Sequence, residues 1–201
     1  MSGTTNDGGV CGVLLAAGLG RRWREAGGQC NKLMHPWDGC TPLVVQAARA
    51  LKDALPHAVA VVRPDAPEVA KALQGCGMRL LWADPALEGM GHSLAAAIRQ
   101  TAPAHGWVIT LGDMPSIQPD TIRHVAWALR AGHPLVAPFQ GDRRGHPVGF
   151  GRAHGPALAA LQGDVGARLL LNTLADRIHR LDVSDEGIHL DVDQPMAGLA
   201  H

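Results

Sequence analysis

Short apolar segments alternate with amphipathic segments along most of the chain. Residues 10–15 are continuously apolar, which is typical of a strand covered on both faces. Similar apolar runs predict further strands at 58–62, 79–82, 107–111, 134–138 and 178–183. The segments between them predict helices at 42–55, 67–73, 94–100, 118–130, 157–161 and 165–174. The first of these helices should begin with the Thr41 hydroxyl at the N-cap and Pro42 at the first helical position.

The order of these elements predicts the fold class. Strands that alternate with helices require crossover connections, so we expect an α/β protein whose mostly parallel sheet lies between two helical layers. The stretch 144–151 interrupts the alternation and should add one antiparallel strand. The polar residues 1–9 predict a flexible tail. Residues 10–201 show no composition shift and no internal repeat, which predicts a single domain.

The composition excludes several classes of function. The formal net charge is zero, so we expect no general attraction to nucleic acid or to an anionic membrane surface. No apolar run approaches the roughly 20 residues that a bilayer-spanning helix needs, and the N-terminus lacks the apolar region of a signal peptide. The four cysteines have no C-x-x-C spacing, which is typical of free thiols in a cytoplasmic protein. Cytoplasmic location and small-molecule partners are therefore expected.

A glycine-rich, basic segment follows the first strand, with Gly18, Gly20 and Arg21 ahead of Lys32. A dinucleotide-binding loop would need a third small residue for close packing of the helix, where this chain has Trp23. A P-loop would need Gly-Lys-Ser or Gly-Lys-Thr, and Lys32 has neither neighbour. Two interpretations remain. The loop binds a triphosphate through its backbone N–H groups and basic side chains, or it is a flexible β–α connection with exposed arginines.

An aspartate follows the fourth predicted strand, in the sequence Leu111-Gly112-Asp113-Met114-Pro115. Ligands of open α/β sheets bind at the carboxyl ends of the strands, so Asp113 is a candidate site residue. Together with the glycine-rich segment it suggests a magnesium–nucleotide site. The structural alternative is that Asp113 caps the helix beyond Pro115.

Six segments, in the same order along the chain, resemble one enzyme family. They are 15–22 with 31–33, 89–94, 111–115, 144–148, 163–168 and 191–195. Together they resemble the MobA/MocA-type nucleotidyltransferases, and in particular the MocA-like molybdenum cofactor cytidylyltransferases. The resemblance implies a Rossmann-like nucleotidyltransferase fold of three α/β/α layers. It also implies transfer of CMP from CTP to a molybdopterin-type cofactor, with release of pyrophosphate.

The resemblance assigns ten residues to the nucleotide: Leu15, Ala16, Ala17, Gly18, Gly20, Arg21, Lys32, Asp84, Gly91 and Ser93. Lys32 would contact the α-phosphate and stabilise the transition state, while Arg21 would hold the β- and γ-phosphates. Relatives that use GTP tend to have glycine in place of Ala17. The methyl group of Ala17 would narrow the space beside the base and favour CTP. Asp84 would contact the nucleoside, or alternatively serve as a turn residue.

The same resemblance implies a Mg²⁺ cofactor held by Asp113 and by a second carboxylate near the C-terminus. Asp191 and Asp193 are both candidates, because their side chains point to one face of an extended segment. Asp193, which adjoins Gln194-Pro195, is the preferred ligand and Asp191 the alternative. The family usually has aspartate before the lysine. Here Asn31 removes that negative charge and keeps a hydrogen-bonding amide.

The acceptor molecule is assigned to His92, Arg144 and His146. Residues 91–93 begin a predicted helix, and a helix N-terminus is a natural anion site, with an ordinary capped helix as the alternative. The two histidines lack metal-ligand spacing, so we do not expect them to bind a metal. A molybdoenzyme that receives the product is the implied protein partner.

Three other functions compete with this one. The first is a nucleotidyltransferase that uses GTP or another NTP and a different phosphorylated acceptor. The second is a non-catalytic chaperone that carries the cofactor to a molybdoenzyme. The combination of Lys32, Asp113 and Asp193 favours the enzyme, because cofactor binding alone needs no pair of metal carboxylates. NAD binding is the third and most remote alternative.

Overall fold

The computed structural model describes residues 9–84, 89–164 and 166–194. Residues 1–8 of the predicted tail lie outside these ranges. The described residues form the eight strands β1 (Val10–Ala16), β2 (Ala58–Val62), β3 (Arg79–Trp82), β4 (Gly106–Leu111), β5 (Leu135–Gln140), β6 (Arg143–Arg144), β7 (Val148–Gly151) and β8 (His179–Asp182). The α-helices among them are α1 (Arg21–Glu25), α2 (Leu43–Ala54), α3 (Pro67–Gly75), α4 (Met90–Gln100), α5 (Pro119–Arg130), α6 (Gly155–Ala159) and α7 (Arg168–Thr173).

All eight strands belong to one mostly parallel sheet. Strands β3, β2, β1 and β4 lie side by side in that order and are parallel to one another. Beyond β4 comes the antiparallel β7, then β5, and β8 pairs with β5 in the parallel sense. The carboxyl ends of β1 to β4 therefore meet at one edge of the sheet, where ligands of such folds bind.

The helices cover both faces of the sheet, which confirms the predicted three-layer α/β/α architecture. Alternate residues of β1 point to opposite faces, so Leu14 packs in one hydrophobic cluster and Leu15 in the other. The first cluster includes the buried faces of α2, α3 and α5. The second includes α4, α6 and α7. This burial on both faces explains why the strands appear in the sequence as continuous apolar runs.

The segment 143–151 forms the predicted antiparallel strand in two parts. Phe139 of β5 pairs with Arg144 of β6 on one side and with Asp182 of β8 on the other. Strands β6 and β7 therefore both lie along the edge of β5 that faces away from β8. Residues 145–147 interrupt the pairing and include the cis peptide bond between His146 and Pro147. The antiparallel strand predicted within 144–151 is therefore interrupted by a bulge and resumes at Val148.

The start of α2 differs from the prediction. The helix begins at Leu43, and Pro42 precedes it with an extended backbone (ψ 145°), so Thr41 is not its N-cap. The reason is local: the Leu43 N–H donates to the His35 carbonyl, and Pro42 forms an isolated bridge with Pro36. These contacts hold the chain extended one residue longer than the sequence suggested.

Two predictions about the chain as a whole concern cysteines and membranes. All four cysteines are free thiols, as predicted. No helix within the described ranges is long and apolar enough to cross a bilayer.

Candidate active site

A cavity of about 580 Å³ opens at the carboxyl ends of β1 to β4. This volume lies within the range typical of small-molecule sites. Segments that follow β1, β2, β3 and β4 contribute to its wall, together with the start of α4 and the C-terminal segment. The cavity therefore brings together residues that lie far apart in the chain, from Leu15 to Asp193.

The glycine-rich loop after β1 forms one wall of the cavity. Gly20 has a left-handed backbone (φ 58°) and lies immediately before α1, whose residues Arg21 and Arg22 line the cavity. Trp23 is almost fully buried, and its indole N–H donates to the Cys30 carbonyl at 3.0 Å. A methyl group at Gly28 would lie 2.0 Å from the indole nitrogen, so this position requires glycine. The buried indole thus fixes α1 and the return of the chain toward Lys32.

Lys32 begins a short 3₁₀ turn, Lys32–Met34, beneath this loop. The side chain of Asn31 caps the turn, since its Oδ1 accepts from the Leu33 N–H at 3.1 Å and its Nδ2 donates to Glu68 at 2.9 Å. An aspartate at position 31 could not make the second contact and would face Glu68 with a like charge. The Lys32 side chain is only 10% exposed.

The buried ammonium of Lys32 joins the two carboxylates that the resemblance assigned to a metal. Its Nζ lies 2.8 Å from Asp113 Oδ2 and 2.8 Å from Asp193 Oδ1. Burial opposes the charged ammonium, but the two aspartates together outweigh it and raise the pKa of Lys32. Burial would also raise the pKa of Asp193, but Lys32 and Arg22 lower it. The ammonium of Lys32 and the carboxylate of Asp193 are therefore both charged at neutral pH.

Asp193 belongs to an extended segment that is anchored at Val192. The Val192 N–H donates to the Asp113 carbonyl at 3.0 Å, and its side chain packs with Trp23, Leu43 and Trp37. Because Val192 points inward, its neighbours point outward, as the alternation predicted. Arg22 Nη1 contacts the second oxygen of Asp193 at 2.5 Å.

Asp191 differs from Asp193 in its surroundings. It is exposed and does not line the cavity. Its carboxyl group is still partly shielded from water, and this partial burial is the largest cause that raises the pKa of Asp191. The negative charges of Asp193 and Asp113 raise it further. This contrast favours Asp193 over Asp191 as the carboxylate that acts beside Asp113.

The donor set suits a divalent cation of the Mg²⁺ type. Asp113 and Asp193 offer hard carboxylate oxygens, and the ammonium between them shows that their fields converge on one cationic position. Among the described residues no three metal-binding side chains cluster together. An ion here would therefore need oxygens from phosphate or water, which is how Mg²⁺ usually binds.

The start of α4 packs against the segment 162–164 at the rim of the cavity. The Gly91 N–H donates to the Gly163 carbonyl at 2.8 Å, and the Gly163 N–H donates to His92 Nδ1 at 3.2 Å. A methyl group at Gly91 would lie 2.6 Å from the Gln162 carbonyl oxygen. The Ser93 N–H is engaged as well, by the Gly89 carbonyl at 3.4 Å. These contacts occupy Gly91 and Ser93 within the protein, so their N–H groups already have partners.

The structure brings most of the predicted residues into one cavity. Its wall includes Leu15, Ala17, Gly18, Gly20, Arg21, Lys32, Asp84, Ser93, Asp113 and Asp193. Six predicted residues are not part of the wall: Ala16, Gly91, His92, Arg144, His146 and Asp191. Ala16 is buried in the core. The structural alternative for Asp113 fails, since α5 begins at Pro119 and its N-cap position is Gln118.

His146 is not part of the cavity wall and lies in the bulge between β6 and β7. Its Nδ1 is buried without a hydrogen-bond partner, and its backbone N–H donates to the Ile188 carbonyl at 2.9 Å. Burial lowers the pKa of His146 to about 4, although the charge of Asp113 acts in the opposite direction. The imidazole is therefore neutral at pH 7.

Four charged residues of the cavity wall escaped the sequence prediction: Arg22, Arg63, Asp65 and Asp164. Arg63 follows β2 and makes a two-contact ion pair with Asp65, at 2.7 and 2.5 Å. The signal that could have found this pair is its position, because it follows a parallel strand exactly as Asp113 does. Arg22 was passed over in favour of its neighbour Arg21.

A glycine-rich loop, a buried lysine and two aspartates meet at the carboxyl edge of the mostly parallel sheet, as in a nucleotidyltransferase-type site. Asp113 follows a strand, whereas Asp193 lies on the C-terminal segment. The family model described as the MobA-like NTP transferase domain matches residues 12–179. The chain belongs to this family. The matched span contains Lys32 and Asp113 and ends before Asp193.

Two relatives are similar over nearly the whole chain. Nicotine blue oxidoreductase of Paenarthrobacter nicotinovorans is 29% identical over 191 residues, which covers 92% of each protein. Purine catabolism protein PucB of Bacillus subtilis (strain 168) is 32% identical over 199 residues, again covering 92% of each.

Among solved structures, the crystal structure of Rv0371c from Mycobacterium tuberculosis H37Rv is 26% identical with a TM-score of 0.77. The match covers 92% of this chain and 93% of that one. A complex of Rv0371c with manganese is 25% identical with a TM-score of 0.71, covering 87% and 88%. Family and fold thus agree with the sequence-based expectation.

Proposed function

We propose that the protein transfers CMP from CTP to a molybdopterin-type cofactor and releases pyrophosphate. The observation that supports this most is the Lys32 ammonium held at 2.8 Å by both Asp113 and Asp193 in the cavity at the strand ends. Such a cluster combines a cation for phosphate oxygens with carboxylates for a metal. No side chain of the cluster needs to act as a nucleophile.

In the proposed reaction an oxygen of the acceptor's terminal phosphate attacks the α-phosphorus of CTP. The new phosphorus–oxygen bond forms as the bond to the bridging oxygen breaks, and pyrophosphate leaves with that electron pair. Lys32 neutralises negative charge on the α-phosphate, and Arg21 and Arg22 bind the outer phosphates. A Mg²⁺ ion held by Asp113 and Asp193 would supply further positive charge to these oxygens when bound.

The base is proposed to lie against the wall formed by Leu15, Ala17 and Gly18. Two features of this wall would contact the base, and the first of them favours a pyrimidine. Ala17 is partly buried at the end of β1 and lines the cavity, so its methyl group occupies space beside the base. The Arg63–Asp65 pair on the next strand end offers donors next to an acceptor, which a base edge can read.

The acceptor is proposed to approach from the side of β7. Arg144 is the last residue of β6 and precedes the bulge that leads to β7. The bulge contacts the segment that carries Asp193, because the His146 N–H donates to the Ile188 carbonyl. Because His146 is neutral, it would contribute a hydrogen bond to the acceptor instead of a charge.

The name of one relative, nicotine blue oxidoreductase, raises a second candidate, an oxidoreductase. NAD binding, the remote alternative from the sequence, would supply the cofactor of such an enzyme. In this chain, Trp23 occupies the position where a dinucleotide-binding loop needs a small residue, and it is buried. The buried Trp23 therefore argues against a dinucleotide-binding loop. A direct assay distinguishes the oxidoreductase from the transferase.

The experiment is a panel of turnover assays on the purified protein with Mg²⁺. CTP, GTP, ATP and UTP are each supplied with molybdopterin, and pyrophosphate release is measured. We expect release with CTP above the other nucleotides. Pyrophosphate release with GTP but not with CTP would support the nucleotidyltransferase that uses another NTP. If none of the four nucleotides gives pyrophosphate, the transferase function is rejected.

Two further measurements separate the remaining candidates. Oxidation of NADH in the presence of electron-accepting dyes would support the oxidoreductase. Cofactor binding with retention of an apo-molybdoenzyme and without turnover would support the chaperone. Asp113→Ala should abolish pyrophosphate release, whereas Asp120→Ala, on an exposed turn of α5, should retain it.

A further inference from the structure

A buried carboxylate remote from the cavity joins the two segments that carry the metal carboxylates. Asp185 is only 6% exposed. Its Oδ2 accepts from the Gln118 N–H at 2.9 Å and from the Thr121 hydroxyl at 2.7 Å. Its Oδ1 accepts from the Gly187 N–H at 2.9 Å. A buried carboxylate is costly unless its oxygens are satisfied, and here three donors and the N-terminus of α5 satisfy them.

These hydrogen bonds connect two stretches of chain that run side by side. One stretch is the connection from Asp113 to α5, and the other runs from Asp185 to Asp193. At one end the Val192 N–H donates to the Asp113 carbonyl. At the other end Asp185 binds the Gln118 N–H. The stretches are therefore tied together at both ends, with one metal carboxylate on each.

The contact between the stretches is also close in the middle. A methyl group at Gly187 would lie 2.2 Å from the Ser116 carbonyl oxygen, so the two backbones nearly touch there. A shift of the second stretch would move Val192 out of its apolar contacts with Trp23 and Leu43, and Asp193 with it.

We propose that Asp185 is a positioning residue, which sets where Asp193 stands relative to Asp113 and thereby the affinity of the site for a divalent cation. This inference rests on the proposed function, in which these two aspartates bind the metal. Thr121 contributes to the same positioning, because its hydroxyl, on the first turn of α5, donates a hydrogen bond to Asp185.

The test measures Mn²⁺ binding by electron paramagnetic resonance in the presence of CTP, with no turnover required. Asp185→Asn replaces one acceptor oxygen by an NH₂ group, which cannot accept from a backbone N–H. We expect its Mn²⁺ dissociation constant to rise about tenfold, as for other residues that orient metal ligands. Thr121→Val should weaken binding in the same direction, and Thr121→Ser, which keeps the hydroxyl, should restore it.

The matched control is Asp120→Asn. Asp120 lies on the first turn of the same helix and is exposed, so the variant removes the same charge from the same helix end without touching the second stretch. Its Mn²⁺ affinity should equal that of the unchanged protein. Urea unfolding of every variant establishes that each is folded under the conditions of the titration.

The outcomes separate this inference from the function on which it rests. If Asp193→Ala binds Mn²⁺ as well as the unchanged protein, the proposed metal site is wrong. If Asp193→Ala loses Mn²⁺ but Asp185→Asn keeps full affinity and only unfolds at lower urea, Asp185 is structural and the inference is overturned. Loss of affinity in Asp185→Asn with rescue in Thr121→Ser supports it.

Discussion

Replacement of Lys32 by methionine probes the centre of the proposed site. Methionine matches the unbranched side chain of lysine up to Cε and lacks only the ammonium, so the change isolates the effect of that charge. In the folded protein Asp113 and Asp193 would then face one another without the cation between them. We expect a loss of stability, a loss of pyrophosphate release, and a larger stabilisation by Mg²⁺ than the unchanged protein shows.

The size of the stability loss follows from the geometry. Each contact spans 2.8 Å, at which unit charges attract by about 6 kcal/mol if the effective dielectric constant is about 20. Most of this attraction offsets the cost of removing the charges from water. Removal of one partner from a buried pair costs about 3–5 kcal/mol. The carboxylates are 26% and 29% exposed, so we expect the lower end, about 3 kcal/mol at neutral pH.

The assay is urea unfolding at pH 7, followed by fluorescence, with and without MgCl₂. Lys71→Met is the control, since Lys71 is an exposed lysine of α3 outside the site. Mg²⁺ should stabilise the Lys32 variant by RT ln(1 + [Mg²⁺]/Kd), with a smaller Kd than in the unchanged protein because no ammonium competes for the carboxylates. A stability loss equal to that of the control, or no additional effect of Mg²⁺, would refute the reasoning.

Three other substitutions test separate parts of the structure. Gly91→Ala forces a methyl group against backbone atoms and should lower the free energy of unfolding by about 2 kcal/mol, measured by urea unfolding. The control is Gly75→Ala, where no atom lies near the added methyl group, and its free energy of unfolding should not fall. Burial lowers the pKa of His146 to about 4 from an ordinary 6.5. Between pH 6.5 and pH 4 the unfolded chain therefore binds more protons than the folded protein, and the free energy of unfolding falls as the pH is lowered through this range. The fall attributable to this group is at most about 3 kcal/mol, and His146→Asn should flatten the measured pH dependence by that amount. Arg22→Gln breaks an exposed ion pair and should change stability by less than about 1 kcal/mol. Its KM for CTP should rise about tenfold, measured by pyrophosphate release, because a charged hydrogen bond to phosphate is lost.

The layered fold was predictable because burial on both faces leaves a direct trace in the sequence. Strands β1, β2 and β4 are covered on both sides, and each appears as an uninterrupted apolar run. The start of α2 was less predictable. Pro42 has the sequence signature of a first helical residue, yet its bridge to Pro36 and the hydrogen bond from Leu43 to His35 keep it extended. Local propensity cannot register such a contact.

The candidate site shows the same division between local and long-range information. Asp113 was found because the end of a strand is a local feature. The order of the sheet then places β1 beside β4, and this adjacency brings Lys32 to Asp113 across 81 positions. No spacing in the sequence encodes that pairing, since it depends on which strands become neighbours. Arg63 also follows a parallel strand, so the same local feature that identified Asp113 could have identified it. Whether Arg21 or Arg22 faces the aspartates, in contrast, depends on the packing of α1 and could not be inferred from the sequence. The network from Lys32 to Asp193, and from Asp185 to α5, therefore belongs to the topology, and substitutions at its remote members are the way to measure how strongly the topology supports the site.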